Sequence, residues 1–234
     1  MKVAAISDLH CREDSKGKIR SLLDGVERAS DVLVLAGDLT NRGLIQEMEV
    51  LLAELKPFRL PIIAVLGNHD HETDHAELLT KMMTGNGICV LESTTCLIGD
   101  IGFIGTKGFC GGFDEYRIQA FGERAIKAFV QASIQEVLGL EDALGKLEGS
   151  RRVGVLHYSP IKKTLHGESP ELYAFLGSSL IESAFDRNKT DVIFHGHAHH
   201  GSLSGETKKG IPVYNVSRFV RTAAGESPYL VYEV

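Results

Sequence analysis

Short apolar runs alternate with longer amphipathic ones along the first half of the chain. The runs at 3–6, 32–36, 62–66, 101–104, 153–156 and 192–194 are brief, rich in β-branched residues, and end at Gly, Asp, Asn or His. That pattern predicts buried strands. Helical spacing fills the gaps between the early ones. Ile19, Leu22, Leu23 and Val26 form one stripe over about 17–29; Leu44, Ile45, Met48, Leu51, Leu52 and Leu55 form another over about 44–55. A third helix is expected over about 74–83. Strand–helix–strand alternation implies α/β units with largely parallel pairing. Later strands at 95–98, 212–216 and 229–234 are spaced like sheet strands joined by turns, so a mixed sheet or two packed sheets is expected.

The stretch 107–150 interrupts this rhythm. It opens with Gly108-Phe109-Cys110-Gly111-Gly112-Phe113 and continues as a long helical pattern carrying Ile126, Phe129, Val130, Ile134, Val137, Leu138, Leu144 and Leu147. Gly139 and Gly145 are candidate breaks. Periodicity alone fits an inserted cap and an ordinary packing helix equally well.

Composition narrows the class. The 234 residues, with 43% hydrophobic and 24% charged, suit one well-cored globular domain. A net charge of −6 argues against broad binding to polymeric nucleic acid. It does not exclude a small nucleotide, because a metal site supplies its own positive charge. Cys11, Cys89, Cys96 and Cys110 lack metal-type spacing and are too few for a disulfide scaffold. No stretch approaches the roughly 18 apolar residues of a membrane span. The apolar run after Met1-Lys2 is too short for a signal segment. A cytoplasmic protein with reduced thiols is expected; the oligomeric state is left open.

The strand ends carry the chemistry. They present Asp8-Leu9-His10, Gly37-Asp38, Gly67-Asn68-His69-Asp70, His157 and Gly196-His197-Ala198-His199. Residues two apart on an extended segment share a side, so Asp8 with His10, and His197 with His199, are candidate chelating pairs. His195 with His197 is an alternative register. Gly196 marks the end of the strand and favours the later pair, leaving His195 as a supporting residue. Taken singly, Gly-Asp and Gly-Asn are common turn dipeptides. Together, Asp8, His10, Asp38, Asn68, His157, His197 and His199 offer oxygen and imidazole donors without thiolate. Such a set suits Mn, Fe, Zn, Co or Ni. The donors sit at carboxyl ends of strands, where α/β sheets place ligand sites.

This order of motifs over residues 5–200 resembles the calcineurin-like metallophosphoesterase superfamily. The resemblance implies two mixed sheets and flanking helices in a four-layer α/β/β/α sandwich; the broken rhythm makes 107–150 a helical insertion or cap of that single domain. It implies two divalent or transition-metal ions, manganese or iron favoured. One would be held by Asp8, His10, Asp38 and His199, the other by Asp38, Asn68, His157 and His197. A hydroxide between the ions would attack phosphorus, and His69 would assist the leaving group. Asp70 is expected to cap the following helix or to orient His69.

The segment Gly37–Gly43 also resembles the GDxxDRG motif of phosphoprotein phosphatases, with Asn41 in place of its second Asp. Arg42 is a candidate phosphate-binding residue; a solvated helix-start residue is the alternative. The implied substrate is a small phosphorylated molecule. A phosphodiester or cyclic nucleotide is slightly favoured over a phosphomonoester. The competing reading is a non-catalytic binding or scaffold protein on the same fold.

Overall fold

The structure is a computed structural model that describes residues 1–234. Its first sheet holds β1 (Lys2–Ile6), β2 (Val32–Ala36), β3 (Ile62–Val65) and β4 (Cys89–Val90) in parallel, with β11 (Leu230–Glu233) antiparallel on β1. The second sheet has β6 (Ile101–Thr106), β7 (Arg151–Leu156), β8 (Val192–His195) and β10 (Pro212–Asn215) in parallel. Its antiparallel edges are β5 (Thr94–Ile98) and β9 (Ser204–Glu206).

Strand alternation sorts the side chains into three apolar layers. Val3, Ala5, Val32, Val34, Ile63 and Val65 face inward against Phe103, Val153, Val155 and Phe194 of the opposite sheet. Ala4, Ile6, Leu33 and Leu35 point outward onto α1 (Lys18–Leu22), α2 (Val26–Ala29), α3 (Ile45–Leu55) and α4 (Ala76–Gly85). Ile104, Leu156, Ile193 and Val213 point outward on the other side, onto α5 (Arg124–Lys146) and α6 (Ser179–Arg187). This is the α/β/β/α sandwich. Strands covered on both faces need continuous apolar runs, which is why those runs were conspicuous in the sequence. Each fully buried Val, Leu or Ile contributes about 1.5–3 kcal/mol of transfer free energy.

Two helical expectations need correction. The single helix over 17–29 is two short ones, because Gly25 adopts a left-handed φ of 78° immediately before α2. Conversely, α5 runs unbroken through Gly139 and Gly145. A mid-helix Gly costs about 1 kcal/mol relative to Ala, and the burial of Leu140, Ala143 and Leu144 on the sheet outweighs that. α5 is also the crossover that parallel β6 and β7 require. Within 107–150, its C-terminal half therefore packs as a layer helix. The loop before it, with Lys107 and Phe109, runs beside the strand-end site: Lys107 O accepts from His157 N and Tyr158 N.

Candidate metal centre

The parallel strands of both sheets end at one edge of the sandwich, and the sheets are tied together there. Ser7 N donates to Val216 O from one sheet to the other, while Asp8 N donates to Gly37 O and continues the β1–β2 pairing. The loops that leave β1, β2, β3, β7 and β8 bring all seven candidate donors to this edge.

Asp8, His10, Asp38 and His197 have φ of 58°, 45°, 49° and 69°. Left-handed backbone costs a non-glycine residue about 1–2 kcal/mol, so the surrounding fold imposes these conformations. They correct the alternation argument. Asp8 and His10 converge because each sits in a left-handed turn, not because a strand continues. His197 and His199 do not act as one pair; they join different groups.

One group is Asp8, His10, Asp38 and His199; the other is Asp38, His157 and His197. In each, one donor atom per residue lies within 4.8 Å of the others. Asp38 belongs to both. Asn68 Oδ1 is 2.9 Å from His157 Nε2 and so sits beside the second group. Gly37 and Gly67 allow this crowding. A Cβ at Gly37, which has a φ of 86°, would collide with the His157 ring; one at Gly67 would collide with the Asp38 backbone and carboxylate. Residue 157 is also where the second sheet reaches the first, since His157 Nδ1 meets Ala36 O at 3.1 Å.

That contact fixes the tautomer. With Nδ1–H donating to Ala36 O, His157 Nε2 carries a lone pair. Burial pushes the His157 pKa well below the usual imidazole range, so the ring is neutral. Its lone pair faces Asn68 Oδ1 at 2.9 Å and Asp38 Oδ1 at 3.3 Å. Three acceptor atoms thus converge, and the only proton they could share is one on the Asp38 carboxyl itself. In the other group, His10 Nε2 is buried without a hydrogen-bond partner, 3.8 Å from Asp38 Oδ2. Buried polar atoms are ordinarily paired. A cation on each side of Asp38 would satisfy both sets, and the donor chemistry fits such an ion.

The two carboxylates differ in environment. Burial alone would raise Asp8, but His199 at 3.1 Å, neighbouring imidazoles and Ser7 Oγ at 2.6 Å hold it below the usual carboxylate range. Asp38 is pushed from an ordinary 3.8 up to about 9 by burial, then by the charges of Asp8 and Asp70. Without a cation, Asp38 keeps a proton that the unfolded chain releases near pH 4. That contribution to stability is complete below the unfolded value and is lost as pH rises through 9. Burial also lowers His10 from 6.5 to about 4, but this acts only below pH 6.5. Metal-free protein is therefore expected to lose on the order of 1 kcal/mol per pH unit between pH 7 and pH 9. Urea unfolding in chelator should show the fall, and saturating metal should flatten it. A metal-free curve flat over that window would contradict the Asp38 assignment.

His69 stands beside the cluster. Its N–H donates to Asp38 Oδ1 at 2.9 Å and its Nε2 is 4.0 Å from Asp38 Oδ2. Its Nδ1 meets the backbone carbonyl of Asn41 at 2.7 Å. A main-chain oxygen therefore orients the ring, and the missing carboxylate at position 41 is not needed for that contact. Asp70 neither caps a helix nor touches the His69 ring. It is buried and accepts from Leu39 N, Thr40 N, Thr40 Oγ1 and Gly67 N at 2.6–3.1 Å.

Other candidates lie elsewhere. Arg42 is 62% exposed and pairs with Glu72 at 3.2 Å rather than reaching the cluster. His195 is buried within β8, held by Thr164 Oγ1 and Gly196 O. His200 is exposed. Phe113 is buried in a small core with Leu165 and Leu176, Phe109 packs on Phe129, and Tyr116 is exposed. All four cysteines are free. Two residues were missed. Arg218 and Phe219 begin α7 (Arg218–Ala223), just beyond β10. Arg218 Nε donates to Asp8 O at 2.8 Å, and its guanidinium lies 4.1 Å from the Phe219 ring centroid. Phe219 in turn packs on His199 at 4.5 Å. The strand-end rule applied to 212–216 points straight at them.

Residues 1–201 match the family model for calcineurin-like phosphoesterase, and the chain belongs to that family. It is 30% identical over 94 residues to glycerophosphodiester phosphodiesterase GpdQ of Enterobacter lignolyticus (strain SCF1). That match covers 35% of this chain and 34% of the relative, so the aligned part spans about a third of the relative's length. TT1561 of Thermus thermophilus superposes with a TM-score of 0.55 at 14% identity, covering 99% of this chain and 98% of its own. Another solved structure reaches a TM-score of 0.65 at 17% identity with the same coverage. These likenesses show the fold.

Proposed function

We propose that the protein is a phosphoester hydrolase working with two transition-metal ions on a small phosphorylated substrate. The convergence of oxygen and imidazole donor atoms on both sides of Asp38 carries this reading. Asp8, His10, Asp38 and His199 would hold one ion; Asp38, Asn68, His157 and His197 would hold the other, sharing Asp38. Ions so paired lower the pKa of water and draw charge from a phosphoryl oxygen. The thiolate-free donor set suits Mn, Fe, Zn, Co or Ni, and of these manganese or iron is the metal proposed.

The remaining work falls to the chain's own groups. With His69 Nδ1–H directed at Asn41 O, Nε2 is the position from which the imidazolium form of the ring would hand its second proton to a departing oxygen, leaving the neutral Nδ1–H ring. Strained loops fix the donors before substrate arrives, so little reorganisation accompanies the reaction. The partial likeness to a phosphodiesterase supports a diester or cyclic nucleotide over a monoester. No helix is long and apolar enough to cross a membrane, and a cytoplasmic location is part of this proposal. All seven donors and His69 are present, which weighs against a scaffold role.

The test is a metal-reconstituted screen of bis(p-nitrophenyl) phosphate, p-nitrophenyl phosphate and cyclic nucleotides. Diester or cyclic-nucleotide turnover should exceed monoester turnover, vanish with chelator and return with Mn²⁺. A purified protein that takes up no stoichiometric metal and turns over none of them is a binding protein instead.

A further inference from the structure

One flank of the metal centre opens into a cleft of about 890 Å³ that also admits His10, His69 and His199. Its wall is cationic although the protein carries a net charge of −6. Arg12, Lys16, Lys18 and Arg218 line it, against a single acid, Asp14. Asp14 is already paired with Lys18 at 3.1 Å. Arg218 is pre-positioned. Its Nε is committed to Asp8 O, its plane rests against Phe219, and Nη1 and Nη2 have no hydrogen-bond acceptor in the protein. A guanidinium held this way presents a fork suited to phosphate or carboxylate. Arg218 and Phe219 also lie beyond residues 1–201, so the family match says nothing of them.

We infer that this cleft receives a second anionic group, phosphoryl or carboxylate, carried by the leaving group of the substrate. The inference rests on the phosphoesterase reading, because His69, the proposed proton donor, both lines the cleft and stands 4.0 Å from Asp38, and so places the leaving group on this side. Arg218 would bind the second anion nearest the metals, with Phe219 as an apolar platform beside it. Arg12 and Lys16, on the exposed loop before α1, would draw the anion in from solvent.

Three matched diesters test this: methyl phenyl phosphates whose phenol ring carries a para methyl, carboxymethyl or phosphonomethyl group. Hydrolysis adds water across the same P–O bond in each and releases the phenol. At low ionic strength, kcat/KM for at least one anionic ester should exceed that of the methyl ester about tenfold, the scale of one hydrogen bond to a charged group. The carboxylate and phosphonate arms identify which anion the cleft takes. The ratio should shrink in about 0.5 M salt, and Arg12→Gln/Lys16→Gln should bring it toward one. Calorimetry on metal-free protein provides a readout independent of turnover. The released anionic phenols should bind, less tightly to the double variant, while 4-methylphenol should not. Equal turnover of all three esters, with no binding of the anionic phenols, overturns the inference and leaves the phosphoesterase reading standing. If no ester is hydrolysed with any metal, that reading fails, and the titration alone decides whether the cleft binds anions.

Discussion

An Asp38→Ala variant is expected to lose metal-dependent phosphoester hydrolysis by at least about a thousandfold. The side chain is 1% exposed, belongs to both donor groups, and sits 3.3 Å from His157 and 3.8 Å from His10. No other residue is shared, so an Asp8 or His197 variant should weaken one group while this one weakens both. Elemental analysis after reconstitution should find less than one metal per chain. Thermodynamics offers a control for misfolding. The substitution removes a buried carboxyl that resists ionisation, so the metal-free variant should unfold no more easily than native protein at pH 9. Near-normal activity in a well-folded variant would sink the shared role.

His69→Ala should behave differently. Metal content should be retained, because this ring belongs to neither donor group. Turnover should fall by about 10²–10⁴, the usual range for a positioned proton donor. The loss should be greatest for alkoxide leaving groups and smallest for p-nitrophenolate, which departs without a proton. A steeper dependence of log kcat on leaving-group pKa is the signature to measure. If the metals leave with the side chain, His69 is a ligand and the division of roles proposed here is wrong.

Much of this arrangement was legible in the sequence because two-sided burial demands uninterrupted apolar strands. The buried strands at 3–6, 32–36, 62–66, 101–104, 153–156 and 192–194 announced themselves by such runs, and each candidate metal donor followed one; the two-residue β4 at the sheet edge did not. The three-dimensional grouping was less legible. Spacing alone paired His197 with His199, whereas the motif resemblance divided them between two ions; the left-handed turn at His197 goes with that division. Nothing in a residue's identity declares a positive φ, except at glycine. Asn41 and Arg42 were judged by their side chains, whereas Asn41 contributes its carbonyl and Arg42 turns outward to Glu72. Arg218 escaped because the motifs end at His199, and its role emerges only where β10 brings it beside Asp8. The unbroken α5 was hidden for another reason: glycine's intrinsic cost is local, while the burial that outweighs it depends on partners distant in sequence.

The buried carboxylate of Asp70 touches no candidate donor. Its oxygens nonetheless grip the loop after Asp38 and the loop before Asn68, joining the ends of β2 and β3 into one mechanical piece. The span from Asp38 to Asn68, both donors of the proposed second ion, is therefore set partly by a spacer behind them. Change at that spacer would alter the gauge of that half of the centre while leaving Asp8, His10 and His199 in place.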